Sequence, residues 1–150
     1  GKDLTNKIKK IPDVPNQIGI RGLFQVRGEL YAPLEYERPS YSQRQAAAYI
    51  RAADCKSDHL SFCSFQIING RLNQHESLIY LKKLSFTVPE YKSLKFTSQV
   101  EMFWQQWADK KLFANYPTDG IVVKINSRKL QLLREKSYEV YPFWQMAIKN

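Results

Sequence analysis

Three short β-type runs, carrying the charges of Glu29, Lys124 and Lys149, constrain this chain more than any other feature. They are Val26-Arg27-Gly28-Glu29, Asp119-Gly120-Ile121-Val122-Val123-Lys124-Ile125, and Trp144-Gln145-Met146-Ala147-Ile148-Lys149. In a strand the side chains alternate between faces, so one charge in an apolar run is delivered to one chosen face of a sheet. A carboxylate and two ammonium groups converging from three strands on one pocket suit a nucleotide phosphate and its metal. A lysine inside so apolar a run must snorkel to water or meet an anion, because burying it unpaired is costly.

Composition sets the bounds around those runs. At 150 residues the chain fits one domain with a real core. It has no stretch of about 18 apolar residues, so no membrane span is expected. The start, Gly1-Lys2-Asp3-Leu4-Thr5, is not an apolar signal segment, and the only cysteines, Cys55 and Cys63, lack metal-site spacing. Two reduced thiols in a cytoplasmic protein are the expectation. Lys and Arg total 23 against 14 Asp and Glu, a formal charge of +9. That balance favours a polyanionic partner through phosphate neutralisation and counterion release. No strongly amphipathic basic helix is present to suit an anionic membrane surface.

Along the chain, Lys7 to Pro15 is basic and proline-punctuated, and Pro12 and Pro15 predict an extended segment. Leu23 to Tyr31 alternates as a strand that Pro33 ends, and Gln43 to Asp54, with its alanine triplet, has helix propensity. His59 to Ile68 is a strand closed by Asn69-Gly70. Glu76 to Leu84 has helical apolar spacing, with Asn73 or Gln74 near its start. Phe86 to Pro89 is a short strand. Ser98 to Leu112 is a second helix, whose Phe103, Trp104 and Trp107 make either a core-facing stripe or a base-stacking platform. Strands at Gly120–Ile125 and Trp144–Lys149 complete an α+β domain with largely antiparallel sheets and short helices.

Gly28, just before Glu29, either admits a close ligand or marks a bulge. His59 and His75 have no nucleophile or acid at a telling spacing, which leaves them surface or capping roles. Gly19-Ile20-Arg21-Gly22 lacks the spacing and the Lys-Ser/Thr ending of a phosphate loop.

In order along the chain, these segments resemble the NAD-dependent bacterial DNA ligases. Val26 to Pro33 resembles motif III of that family, and Arg44-Gln45-Ala46-Ala47-Ala48 its Arg-Asn-Ala-Ala-Ala stretch. Leu60 to Phe65 is similar to motif IIIa, Asp119 to Lys124 to motif IV, and Pro142 to Lys149 to motif V. Gly1 to Thr5 is similar to the Gly-Glu-Asp-Val-Thr lead-in, and Glu76 to Val88 to the segment between motifs IIIa and IV. Each motif is weak, but the ordered set covers nearly the whole chain.

The resemblance implies a partial nucleotidyltransferase (ATP-grasp-like) ligase adenylation fold over 1–150, spanning motifs III to V. It implies an enzyme whose lysine takes AMP from NAD, passes it to the 5′-phosphate of a DNA nick, and lets the 3′-hydroxyl displace it. Glu29 would contact ribose or place magnesium, and Phe65 would pack on adenine. Lys124 and Lys149 would bind the adenylate phosphate. Arg27, Arg44 and Arg51 would face nicked double-stranded DNA. A monomer without membrane association is expected.

Departures accompany the matches. No Lys-x-Asp-Gly occurs in this sequence, since Asp119-Gly120 follows Pro117-Thr118, and no OB domain is matched. Tyr49 replaces a glycine after the alanine triplet, Phe143 an arginine, and Asn150 an aromatic residue. The isolated chain is therefore expected not to adenylate itself. A non-catalytic ligase-like module that binds nucleotide or DNA is the alternative.

Overall fold

The computed structural model describes residues 2–33, 39–54, 57–115, 118–135 and 143–149. Gly1, Cys55, Pro117, Pro142 and Asn150, singled out above, lie outside the described residues. The chain divides into two packed units, Gly1–Gly70 with Ser77–Pro89, and Arg71–Glu76 with Glu90–Asn150.

In the first unit an antiparallel ribbon pairs β1 (Val26–Tyr31) with β2 (Ser61–Ile67). The helix α2 (Pro39–Arg51) packs against β1. Ser42, Ala46 and Ile50 recur every four residues, so they share one helix face, and all three are buried. Ser42 Oγ donates to the Ala32 carbonyl at 2.6 Å, which ties the start of α2 to the end of β1. Ile11, Ala46, Ile50 and Leu60 form the core, with Leu4, Val14, Leu30, Tyr49 and Phe62 packed around it. Tyr49 therefore fills the core margin, 6.0 Å from the ring of His59.

The extended start predicted from Pro12 and Pro15 is corrected at its beginning, where Thr5–Ile8 forms the short helix α1. Proline restricts itself and the residue before it, and α1 ends short of that reach. Asp13 then holds three segments together. One of its carboxylate oxygens accepts from Phe62 N at 3.1 Å, and the other from Thr87 Oγ1 at 3.0 Å. Phe86 to Pro89 is not a strand, contrary to expectation. It is tied to β2 by the bond from Ser64 N to Thr87 O, 2.8 Å, and Pro89 has no N–H with which to extend a ladder.

The helix α3 (Gln74–Lys83) runs from one unit into the other, with Leu78 and Leu81 buried. The second unit holds α4 (Gln99–Ala108), β3 (Gly120–Lys124), α5 (Arg128–Leu133) and β4 (Gln145–Lys149). β3 and β4 pair antiparallel, and α4 packs on β3. Phe103, Trp104 and Trp107 of α4 are half-buried, and no α4 residue reaches full burial. Trp107 Nε1 donates to Thr118 Oγ1 at 2.8 Å, just ahead of β3.

Within the second unit, two asparagines join the first turn of α3 to the start of α5, each capping the other's helix. Asn126 accepts from Gln74 N through its carbonyl and from His75 N through Oδ1, both at 2.9 Å. Asn73 Oδ1 accepts from Arg128 N at 3.0 Å, and Glu76 Oε2 accepts from Asn73 N at 2.9 Å. First-turn N–H groups have no partner inside their own helix, so each asparagine satisfies a donor that would otherwise turn to water. His75 is thus held by its backbone, and its ring stands edge-on to Tyr91 at 5.3 Å.

Candidate nucleotide site

Lys124 and Lys149 lie on one ribbon, and its register decides their geometry. Gly120 pairs with Lys149, Val122 with Ala147, and Lys124 with Gln145. Directly opposed residues share a face, as do residues two apart on one strand, so both lysines project from the same face. Four residues of strand separate their positions, about 13 Å at 3.3 Å per residue. Val122 and Ala147, both exposed, lie between them. This face is cationic at both ends and apolar in the middle.

Each lysine is held differently. The Lys124 ammonium stands 5.8 Å from the centroid of the Trp144 ring, within cation–π range. Trp144 is only 2% exposed, so this platform is fixed by packing. Lys149 Nζ donates to Asp119 Oδ2 at 2.8 Å, with the two side chains 65% and 68% exposed. That hydrogen bond first, and the Asp119 charge second, raise the Lys149 pKa above its ordinary 10.5. In water such a pair adds little to folding, so it sets where the ammonium sits. Gly120 makes the approach possible: a Cβ there would run into the Ile148 carbonyl and the Lys149 backbone. Asp119 escaped the sequence reading because only the register brings Lys149 alongside it.

Glu29 belongs to the first unit, exposed on β1 opposite Cys63. Gln43 Nε2 of α2 donates to its Oε1 at 3.2 Å. Gly28 resolves in favour of a bulge. The register passes from Arg27–Gln66 to Gly28–Ser64, so Phe65 is the additional residue on β2. A side chain at Gly28 would collide with the Phe62 ring and the Cys63 carbonyl. Burial, and then the charges of Asp13 and Glu29, push the Cys63 thiol up to about 11. Arg27, Arg44 and Arg51 are all exposed in this unit.

Among the described residues no group of three or more His, Cys, Asp or Glu side chains could hold a metal. Among the described residues, no helix is long and apolar enough to cross a membrane.

Residues 1–150 match the NAD-dependent DNA ligase adenylation domain family. A DNA ligase of Petrotoga mobilis is 30% identical over 170 aligned positions, covering 99% of this chain and 25% of that protein. Those of Pseudothermotoga lettingae and Thermotoga maritima are 28% and 27% identical, with the same coverage of both chains. The chain thus spans about a quarter of the length of these relatives. By a match that runs from its first residue to its last, the chain belongs to the NAD-dependent DNA ligase adenylation domain family.

Proposed function

We propose that this chain is the part of an NAD-dependent DNA ligase that holds the adenylate while nicks in duplex DNA are sealed. The observation that carries this reading is the pair of lysines on one ribbon face in a chain of this family. Phosphoryl transfer needs in-line positioning and cations placed where charge develops. Lys124 and Lys149 would bind the adenylate phosphate, with the phosphate competing with Asp119 for the Lys149 ammonium. Glu29, oriented by Gln43, would contact the ribose. Phe65 would pack on adenine from its bulge. Magnesium held by the Glu29 carboxylate would neutralise phosphate charge. Arg27, Arg44 and Arg51 would lie along the DNA, and the protein would act as a cytoplasmic monomer.

The nucleophile of this family stands in a Lys-x-Asp-Gly motif, which this sequence does not contain. The chain alone, incubated with NAD labelled in its adenylate and magnesium, should stay unlabelled; covalent AMP on it would refute that. In the whole protein, Lys124→Met or Lys149→Met should slow nick sealing about 10²- to 10³-fold, the usual effect of removing one group that stabilises developing charge. Sealing at the unsubstituted rate in both variants would overturn the assignment.

A further inference from the structure

We propose that the turn Lys7–Lys10 is a DNA-phosphate contact built onto the C-terminal end of α2, with Lys9 and Lys10 as its ligands. The proposal rests on the ligase reading above and adds a surface to it. Lys7 is the residue that anchors the turn. Its Nζ donates to the Ile50 carbonyl at 2.9 Å and the Ala52 carbonyl at 2.6 Å, at the end of α2. Carbonyls of a last helical turn have no partner within the helix and carry the negative end of its dipole, so an ammonium is well placed there.

Two further contacts make the turn rigid. Ser57 Oγ donates to the Lys7 carbonyl at 2.9 Å, and Ile11, directly after the turn, is a core residue only 2% exposed. Lys10 N donates to Lys7 O at 3.2 Å, and Ile11 N to Ile8 O at 3.0 Å. Held at both ends, the turn leaves Lys9 and Lys10 exposed. The nearby carboxylate of Asp3 is engaged by the backbone and hydroxyl of Thr5.

The helix to which the turn is tied has a basic outer side. Ser42, Ala46 and Ile50 point α2 into the core, which puts Arg44 and Arg51 on its outer side. Seven residues apart, those arginines lie within about 20° of each other around the axis and about 10.5 Å apart along it. That length is close to three base-pair steps of roughly 3.4 Å. Beyond Arg51 the tethered Lys7 brings in the turn. Lysines without interleaved aromatic rings suit phosphates as point charges, and such contacts position a duplex without reading its sequence.

The test is binding of the whole protein to a nicked duplex between 50 and 200 mM salt, followed by fluorescence anisotropy. Two lost phosphate contacts should flatten the slope of log K against log salt by about 1.8. The affinity gap between the parent protein and Lys9→Gln/Lys10→Gln should then narrow about 12-fold across that range. Lys7→Met, which frees the turn but keeps both ligands, should also flatten the slope. Lys82→Gln/Lys83→Gln, on the exposed side of α3, should not. An unchanged slope in Lys9→Gln/Lys10→Gln, or an equal change in the α3 control, overturns this surface and leaves the ligase reading standing. A parent protein that binds no DNA overturns both.

Discussion

Removing the Asn126 side chain tests whether reciprocal capping fixes the end of the lysine-bearing strand. Asn126 lies two residues beyond Lys124, and its Oδ1 is the acceptor for His75 N at 2.9 Å. Its backbone carbonyl, which accepts from Gln74 N, would survive the change to alanine. One cap bond is therefore lost. Such losses cost about 0.5 to 2 kcal/mol, and this exposed bond, which water can replace, falls near 0.5. Asn73→Ala strands Arg128 N in a part-buried setting and should cost about 1 kcal/mol. Independent caps would sum to about 1.5 kcal/mol. Because each asparagine is positioned by the helix that the other caps, the double variant should cost nearer 1, an interaction of about 0.5 kcal/mol. In a chain of this size each kcal/mol moves Tm by about 2 to 4 °C. Urea denaturation measures the sums, and amide hydrogen exchange at His75 and Arg128 reports each bond separately. Unchanged exchange at His75 in Asn126→Ala, or strict additivity in the double variant, would refute the reasoning.

Two pH-dependent predictions follow from the perturbed groups. With its thiol pushed from 9.0 up to about 11, Cys63 should react with iodoacetamide at pH 8 about 100-fold more slowly than a free thiol, in proportion to thiolate. A Cys55→Ser background isolates this rate, and reaction at the free-thiol rate would contradict the burial argument. The favoured species is the neutral thiol, so stability is intact below pH 9.0 and declines as pH climbs toward about 11. Lys149 is raised in favour of its charged form, so the contribution of its pair with Asp119 is present below 10.5 and vanishes as pH passes the raised value. Asp119→Asn should bring the Lys149 titration back toward 10.5, followed by NMR at its Cε protons; a titration that does not move would mean the pair does not form in solution.

The elements were legible wherever period and breaker agreed. Val26 to Tyr31, Ser61 to Ile67, the alanine triplet, and the run Gly120 to Lys124 lie inside observed strands or the helix α2, whereas Leu23 to Gln25 and His59 to Leu60, expected in the same strands, do not. Phe86 to Pro89 misled because alternation over four residues says nothing about whether a neighbouring strand completes a ladder with it. The start of the chain misled because proline signals were extended further back than their steric reach. For the site, the lysines of β3 and β4 were legible as single charges in apolar runs. Their common face was not, since it depends on which residue of β4 stands opposite Gly120. Asp119 and the Trp144 platform stayed hidden for the same reason: both arise from cross-strand neighbours, which sequence distance does not encode.

The extra residue of β2 has a consequence for how this ribbon can change over time. The pairs on either side of Phe65, Arg27 with Gln66 and Gly28 with Ser64, would still line up if that residue were deleted. What would go is the local bend, and with it the aim of one aromatic ring. Position 65 thus stands outside the pairing of the ladder, so the residue there can be exchanged or lost without shifting the register on either side.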